Sequence, residues 1–281
     1  MLIPRSAVAA CLLPLAVAAC VSTETSRSTG TGQPGSTTAD ANSRYDRGAP
    51  TSGDRDEELR RRSRIRLELA STHFQQGNYR QAMVEGEEAT KIDPRYPQAH
   101  GMLGLVHWKI GDVAAAEASF RRALELDPQD AEMNNNFGWF LCKTGRQKAS
   151  IAYFTNASSD RLYASPAKPL HNAGICSLEM GDEAAAENYF LRAFQVDPGN
   201  AVAMFNLGEI YLKRGNVERA KFYSDRLNAR YEASAETLWL ALRVARLGTD
   251  RNYTNNLASQ LQRKFPDSRE ATLLRKGAFG D

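Results

Sequence analysis

The sequence predicts an all-α, right-handed superhelical solenoid of about six helix-turn-helix hairpins. Three observations lead there. Gly77, Gly111, Gly145, Gly181 and Gly215 each fall between two amphipathic helical patterns, at spacings of 34, 34, 36 and 34 residues. Pro94, Pro128, Pro198 and Pro266 mark helix-stopping ends on the same period, spaced 34, 70 and 68. Small and aromatic residues recur at fixed offsets within each period, the signature of one supersecondary unit stacked on copies of itself.

In chain order the first element is a targeting segment. Residues 1–19 carry one positive charge, Arg5, followed by an uncharged run from Ser6 to Ala19 rich in Ala, Leu and Val. That is a signal-peptide core, too short to cross a bilayer of about 30 Å as a helix. Val17-Ala18-Ala19-Cys20 resembles the bacterial lipobox, which implies cleavage before Cys20 and acylation of that residue. Several acyl chains anchor a protein where one does not. Val8-Ala9-Ala10-Cys11 fits the same pattern but leaves too little apolar core upstream, so Cys11 is set aside. An ordinary secreted protein cut near Ala19, with Cys20 a free thiol, is the alternative. Val21 is not Asp, so the resemblance gives no signal for inner-membrane retention. The expected address is the outer membrane, lipid-anchored and facing the periplasm.

Residues 20–56 form the second element, the lipidated N-terminus and a tether. From Val21 to Gly53, Ser, Thr, Gly and Pro dominate and Tyr45 is the only large apolar residue. Such a stretch cannot bury enough surface to offset its ordering entropy. As a flexible coil it would hold the folded part on the order of 30 Å from the bilayer.

The repeat domain spans 57–281, with repeats near 63–96, 97–130, 131–166, 167–200, 201–234 and 235–268, then a C-terminal cap near Ser268–Lys276. The second copy is the clearest: Leu103-Gly104, His107, Ala116, Phe120, Ala123 and Asp127-Pro128. The fourth has Ala173-Gly174, Ala186, Phe190, Ala193 and Asp197-Pro198; the fifth Leu207-Gly208, Tyr211 and Ala220; the third Phe137-Gly138, Phe154 and Ala157. This resembles the tetratricopeptide repeat. The first copy, Leu69-Ala70, His73, Ala82, Ala89 and Pro94, and the sixth, Leu238, Ala241, Ala245, Leu261 and Pro266, are weaker. Terminal repeats solvate a face that inner ones bury, so degenerate ends are expected. Gly104 and Ala116 let paired helices approach closely, while Phe120, Phe154 and Phe190 fill the gap toward the next repeat.

Little in the chain points to an enzyme. The formal charge of +3 becomes +2 once Arg5 is removed, too near neutral to argue for nucleic acid. No HExxH, paired-Cys metal spacing, GxSxG or phosphate-binding glycine loop occurs, so no metal, cofactor or small-molecule substrate is expected. His73 and His107 hold the eleventh repeat position, where they read as inter-helix filler. Besides Cys20, the mature chain keeps only Cys142 and Cys176, on first helices of adjacent repeats. A disulfide between them is geometrically conceivable in an oxidising periplasm; two separate buried thiols are the alternative. The basic run Arg60-Arg61-Arg62, with Arg64 and Arg66, reads as a solvated helical face, or as a contact for anionic headgroups or an acidic partner.

The stronger signal is a groove. In a repeat of this kind the second, fifth, ninth, twelfth and thirteenth positions of the first helix line the concave surface. They give Leu67 and Phe74, then Leu105 and Trp108, then Asn135 and Trp139. The later repeats add His171, Ile175 and Leu178, then Phe205, Glu209 and Leu212, and finally Trp239, Arg243 and Arg246. All three tryptophans are on it, and Trp is a favoured interface anchor. The expectation is a trough for an apolar peptide or helix. The alternative is that a tight superhelix buries some of these residues against each other.

Asn134-Asn135-Asn136-Phe137-Gly138-Trp139-Phe140-Leu141-Cys142 resembles a stretch of the type IV pilus biogenesis lipoproteins, the PilF/PilW family. Ala157-Ser158-Ser159-Asp160 with Tyr163, Leu238 to Ala245, and Leu261 to Pro266 resemble the same family. The resemblance implies a pilotin, a non-enzymatic outer-membrane lipoprotein that binds secretin subunits and promotes their localisation and multimerisation. It implies secretin binding by the first repeats, where the matching residues are Leu67, Phe74, Leu105 and Trp108. A periplasm-facing scaffold for cell-wall hydrolases or outer-membrane protein assembly is the competing reading.

Overall fold

Thirteen α-helices and no strands make up the described residues, 52–279, of this computed structural model. Six hairpins run in order: α1 (Ser52–Gln75) with α2 (Tyr79–Ile92), α3 (Pro97–Lys109) with α4 (Val113–Leu126), and α5 (Ala131–Lys143) with α6 (Gln147–Ser159). Then come α7 (Ala167–Glu179) with α8 (Glu183–Val196), α9 (Ala201–Lys213) with α10 (Val217–Arg230), and α11 (Ala235–Arg246) with α12 (Arg251–Lys264). A seven-residue helix, α13 (Arg269–Arg275), packs on both α11 and α12 as the next first helix would. The signal segment, Cys20 and most of the tether lie outside the described residues.

One boundary differs from the sequence reading. α1 starts at Ser52, so residues 52–56, assigned to the tether, are helical. The run from Asp54 to Arg66 contains neither Gly nor Pro, is rich in Arg and Glu, and opens with Asp54 in the first turn, where an acid suits the helix dipole.

The turn inside each hairpin explains the glycine period. Gly77, Gly111, Gly145, Gly181 and Gly215 all have φ between 70° and 89°, a region that costs other residues strain. In four of the five turns the next residue is an Asn or Asp, at 78, 112, 182 and 216, whose side chain caps the second helix. At the third, Arg146 stands there without a capping bond and instead reaches Glu117 of the preceding repeat at 2.8 Å.

Four of the six second helices end on an aspartate whose carboxylate accepts a backbone N–H two residues on: Asp93 from Arg95, Asp127 from Gln129, Asp160 from Leu162 and Asp197 from Gly199; α10 and α12 end instead on Tyr231 and Phe265. Asp160 does this without a following Pro, so the contact persists at the third repeat, one of the two that the proline series skips.

Neighbouring first helices touch, α1 on α3, α3 on α5, α5 on α7, α9 on α11, and α11 on α13, whereas second helices meet only the elements beside them in sequence. The first helices therefore form the inner, concave layer. Only between α7 and α9 does that close contact lapse.

Packing repeats one device. The ring of Phe120 lies directly over Gly104, Phe154 over Gly138 and Phe190 over Gly174, each so close that an added Cβ would come within 2.9 Å of it. All three rings are essentially fully buried. In the first and fifth repeats the phenylalanine position holds Gly86 and Ser224, and a leucine of the following first helix fills the space: Leu103 beside Gly86, Leu240 beside Gly208. Volume lost in one repeat is made up by its neighbour, as close packing requires.

Of the two readings left open for the cysteines, the structure shows the disulfide. Cys142 of α5 and Cys176 of α7 are bonded, with Cα atoms 5.9 Å apart.

Candidate partner-binding groove

The concave layer is apolar at its start. Leu67 and Phe74 of α1 and Leu105 and Trp108 of α3 are all half-buried, with side chains still open to solvent. Phe74 is steadied by Tyr79, ring centroids 5.4 Å apart and edge to face. Trp108 stands at 90° on Phe140 of the next repeat, centroids 5.7 Å apart. Each ring thus has one packed flank, which fixes it at low entropic cost, and one free face.

The middle of the layer is polar and braced. Asn135 is 1% exposed, and its side-chain oxygen accepts from the Asn172 amide of the next first helix at 2.9 Å. It is therefore a buried inter-repeat brace rather than an open groove residue, a correction to the sequence reading. Next to it Trp139 stays half-buried, with Lys143 Nζ 4.3 Å above its ring and Lys143 paired with Glu179. The disulfide lies in the same cluster as Trp139.

The two-residue insertion is tied down on this side too. Tyr163 donates to Glu132 at 2.6 Å and Lys168 reaches the same carboxylate at 2.9 Å. Burial and the Glu132 carboxylate both push the Tyr163 hydroxyl upward from its ordinary pKa, so it stays a donor. An open depression of about 390 Å³ beside this loop is lined by Asp127, Asp130, Glu132 and Asp160 among others. Among the described residues no group of three or more His, Cys, Asp or Glu is placed to hold a metal ion.

Toward α7 and α9, Ile175, Leu178 and Phe205 are half-buried against the largest core cluster. His171 lies there as well, with the Asn200 amide 3.0 Å from its Nδ1. Burial, against a weaker opposing pull from that hydrogen bond, holds its pKa down to about 4. Leu212, 9% exposed, belongs to the core cluster; facing inward between helices, it is removed from the open surface.

The last repeat closes the layer. Glu209 and Arg243 form a two-pronged ion pair, both contacts 2.9 Å. Trp239 is 8% exposed because Phe279, beyond α13, lies on it: centroids 5.2 Å apart, planes within 13°. Three of the groove residues read from sequence, Asn135, Leu212 and Trp239, are thus covered. The rest, the apolar Leu67, Phe74, Leu105, Trp108, Trp139, Ile175, Leu178 and Phe205 and the polar His171, Glu209, Arg243 and Arg246, keep exposed area. Sequence periodicity missed Asn172 and Phe279, since neither sits at a groove position of its repeat; Lys143 does hold the thirteenth position, but a lysine is not the apolar anchor expected of such a trough.

Comparisons with known proteins agree with this architecture. Two tetratricopeptide repeat models match the chain, one over residues 67–131 and 102–160, the other over 177–243. The chain is similar to the type IV pilus assembly protein PilF of Pseudomonas aeruginosa, 28% identical over 204 residues covering 73% of this chain and 81% of that one. Among solved structures it is similar to PilW, described as a widely conserved type IV pilus biogenesis factor. The identity is 32% and the TM-score 0.67, over 75% of this chain and 97% of PilW. The structure of Pseudomonas aeruginosa PilF superposes with TM-score 0.71 at 27% identity, over 79% of this chain and 99% of the other.

Proposed function

We infer, from the premise that this chain belongs to the PilF/PilW family of tetratricopeptide-repeat proteins of type IV pilus biogenesis, that it acts as a pilotin. In this reading Cys20 carries the lipid that holds it on the periplasmic side of the outer membrane. The repeats bind a secretin subunit and promote its delivery and assembly into a ring. The observation that carries the reading is the run Leu67, Phe74, Leu105 and Trp108: apolar, on the concave layer, each half-exposed.

The chemistry suits an apolar segment of a partner. Covering a large apolar side chain contributes about 1.5–3 kcal/mol, and rings already fixed on one flank lose little freedom when the other is covered. Lys143, held between the Trp139 ring and the Glu179 carboxylate, gives the trough a polar margin beyond its apolar start.

The test is in cells and with purified protein. Removing the gene, or Cys20→Ala, should leave secretin as monomers in the inner membrane and abolish surface pili. Phe74→Ala with Trp108→Ala should weaken capture of the secretin subunit at least about tenfold while helix content by circular dichroism stays unchanged. Normal amounts of detergent-resistant secretin multimer in the Cys20→Ala strain would sink the proposal. Envelope defects with intact pili would point instead to a scaffold for cell-wall hydrolases or outer-membrane protein assembly.

A further inference from the structure

The far end of the concave layer holds a ligand-like contact made by the chain itself. α13 ends in a left-handed turn at Gly277, φ 65°, with the Gly277 N–H on the Leu274 carbonyl and the Ala278 N–H on that of Leu273, both 3.0 Å. This reverses the chain, and Lys276, Gly277 and Ala278 are exposed. Phe279 then turns inward. One face of its ring stacks on Trp239, and the guanidinium carbon of Arg246 lies 3.2 Å from its centroid. A ring between an indole and a guanidinium combines stacking with a cation–π contact, the arrangement proteins use to hold aromatic ligands.

Two features mark this as a receptor rather than ordinary end-packing. Trp239 sits at the fifth repeat position, in the same row as the groove residues Leu67 and Phe205. Arg246, unlike Arg243, has no carboxylate partner among the described residues. An open depression of about 320 Å³ adjoins it, lined by Arg246, Gly248, Arg251, Thr254 and Asn255, with two cations and no acid. The sequence of the occupying segment suits such a place: Phe279 is followed two residues on by Asp281, which lies outside the described residues.

We propose that the concave face of the sixth repeat is a docking site for an extended peptide segment carrying an aromatic residue beside a carboxylate, and that Phe279 is its resident, displaceable occupant. The aromatic ring takes the place of Phe279 between Trp239 and Arg246; the carboxylate pairs with Arg246 and Arg251. A tethered occupant competes at a millimolar effective concentration, so a free segment binds well only when other contacts along the groove add to it. The site stands apart from the secretin reading, because it is read out at Trp239 with no partner protein present.

The test uses the full-length protein and the three indole N–H resonances of its tryptophans, with Trp239 assigned as the one lost in Trp239→Phe. The probe is the peptide acetyl-Phe-Gly-Asp, with acetyl-Ala-Gly-Asp as control. In Phe279→Ala the probe should move the Trp239 resonance saturably and leave those of Trp108 and Trp139 in place. Wild type should need roughly tenfold more probe, as a tethered competitor demands. Adding Arg246→Ala to Phe279→Ala should weaken the response several-fold. If Phe279→Ala loses its folded indole spectrum, Phe279→Leu keeps apolar cover and is titrated in its place with the same outcomes. No saturable movement of Trp239, an equal response in wild type, or an equal response to the alanine control would each overturn the proposal.

Discussion

Replacing Gly174 with alanine should destabilise the solenoid through one ring, and the structure says how to show it. An added Cβ would lie 2.6, 2.8 and 2.8 Å from Cε1, Cδ1 and Cζ of Phe190, whose side chain is 0% exposed. A flexible side chain would swing away, but a fully buried ring has nowhere to go, so the cost is that of overpacking, about 1–3 kcal/mol. For a domain of this size, at about 2–4 °C per kcal/mol, that is a fall in melting temperature of roughly 2–12 °C. Phe190→Leu alone should cost roughly 1–2 kcal/mol by opening a void. Together the two changes should cost at least about 1 kcal/mol less than their sum, because the smaller side chain makes room for the methyl. Denaturant unfolding followed by circular dichroism measures all four corners of this cycle. Gly181→Ala is the control: nothing lies within 4 Å of its added Cβ and its φ is 79°, so its cost is backbone strain of about 1 kcal/mol that Phe190→Leu cannot relieve. If the Gly174 and Phe190 costs simply add, the ring-over-glycine account of the hairpin is wrong.

Two further outcomes follow from the same structure. The Cys142–Cys176 bond joins residues 34 apart, for which the chain-entropy model gives a ceiling of about 4 kcal/mol. Reduction should therefore lower the wild-type melting temperature clearly and leave that of a Cys142→Ala, Cys176→Ala protein unmoved; a fully reduced wild type that melts unchanged would contradict this. His171 has its folded pKa depressed to about 4 from 6.5, so the unfolded chain binds the extra proton between those values. The stability it contributes is complete above pH 6.5 and drains away as pH falls to 4, by about 3 kcal/mol at most. Unfolding measured at pH 7 and pH 4.5 should show that loss shrinking in His171→Asn, and an identical pH slope in the two proteins would refute it.

What the residues revealed in advance depended on how local the physics was. The glycine turns were legible because a left-handed backbone is a demand on one residue, and the start of every first helix but α1 followed from it. The proline series was a poorer guide than the aspartates before it: Asp93, Asp127, Asp160 and Asp197 make the same backbone contact, and Asp160 does so where proline is missing. The groove was legible as a row of positions but not as a surface. Whether a row position stays open is decided by residues far away in sequence, as Asn172 covers Asn135 and Phe279 covers Trp239. The two cysteines illustrate the limit: the insertion moves Cys176 from the twelfth to the tenth repeat position, and only the folded path of the loop brings the sulfurs together.

The bond between α5 and α7 also decides how this molecule answers a pull. A solenoid holds together by contacts between neighbours alone, so tension entering at Ser52 would peel it one hairpin at a time, like tape from a roll. The first two hairpins, which carry Leu67, Phe74, Leu105 and Trp108, stand ahead of the staple and can open and reclose separately. Peeling then meets a covalent stop at Cys142, and the residues between it and Cys176 cannot pay out as slack. A strained molecule would thus open the hairpins that carry the apolar run first, and the segment from Cys142 to Cys176 would add no length as tension passed on through the bond.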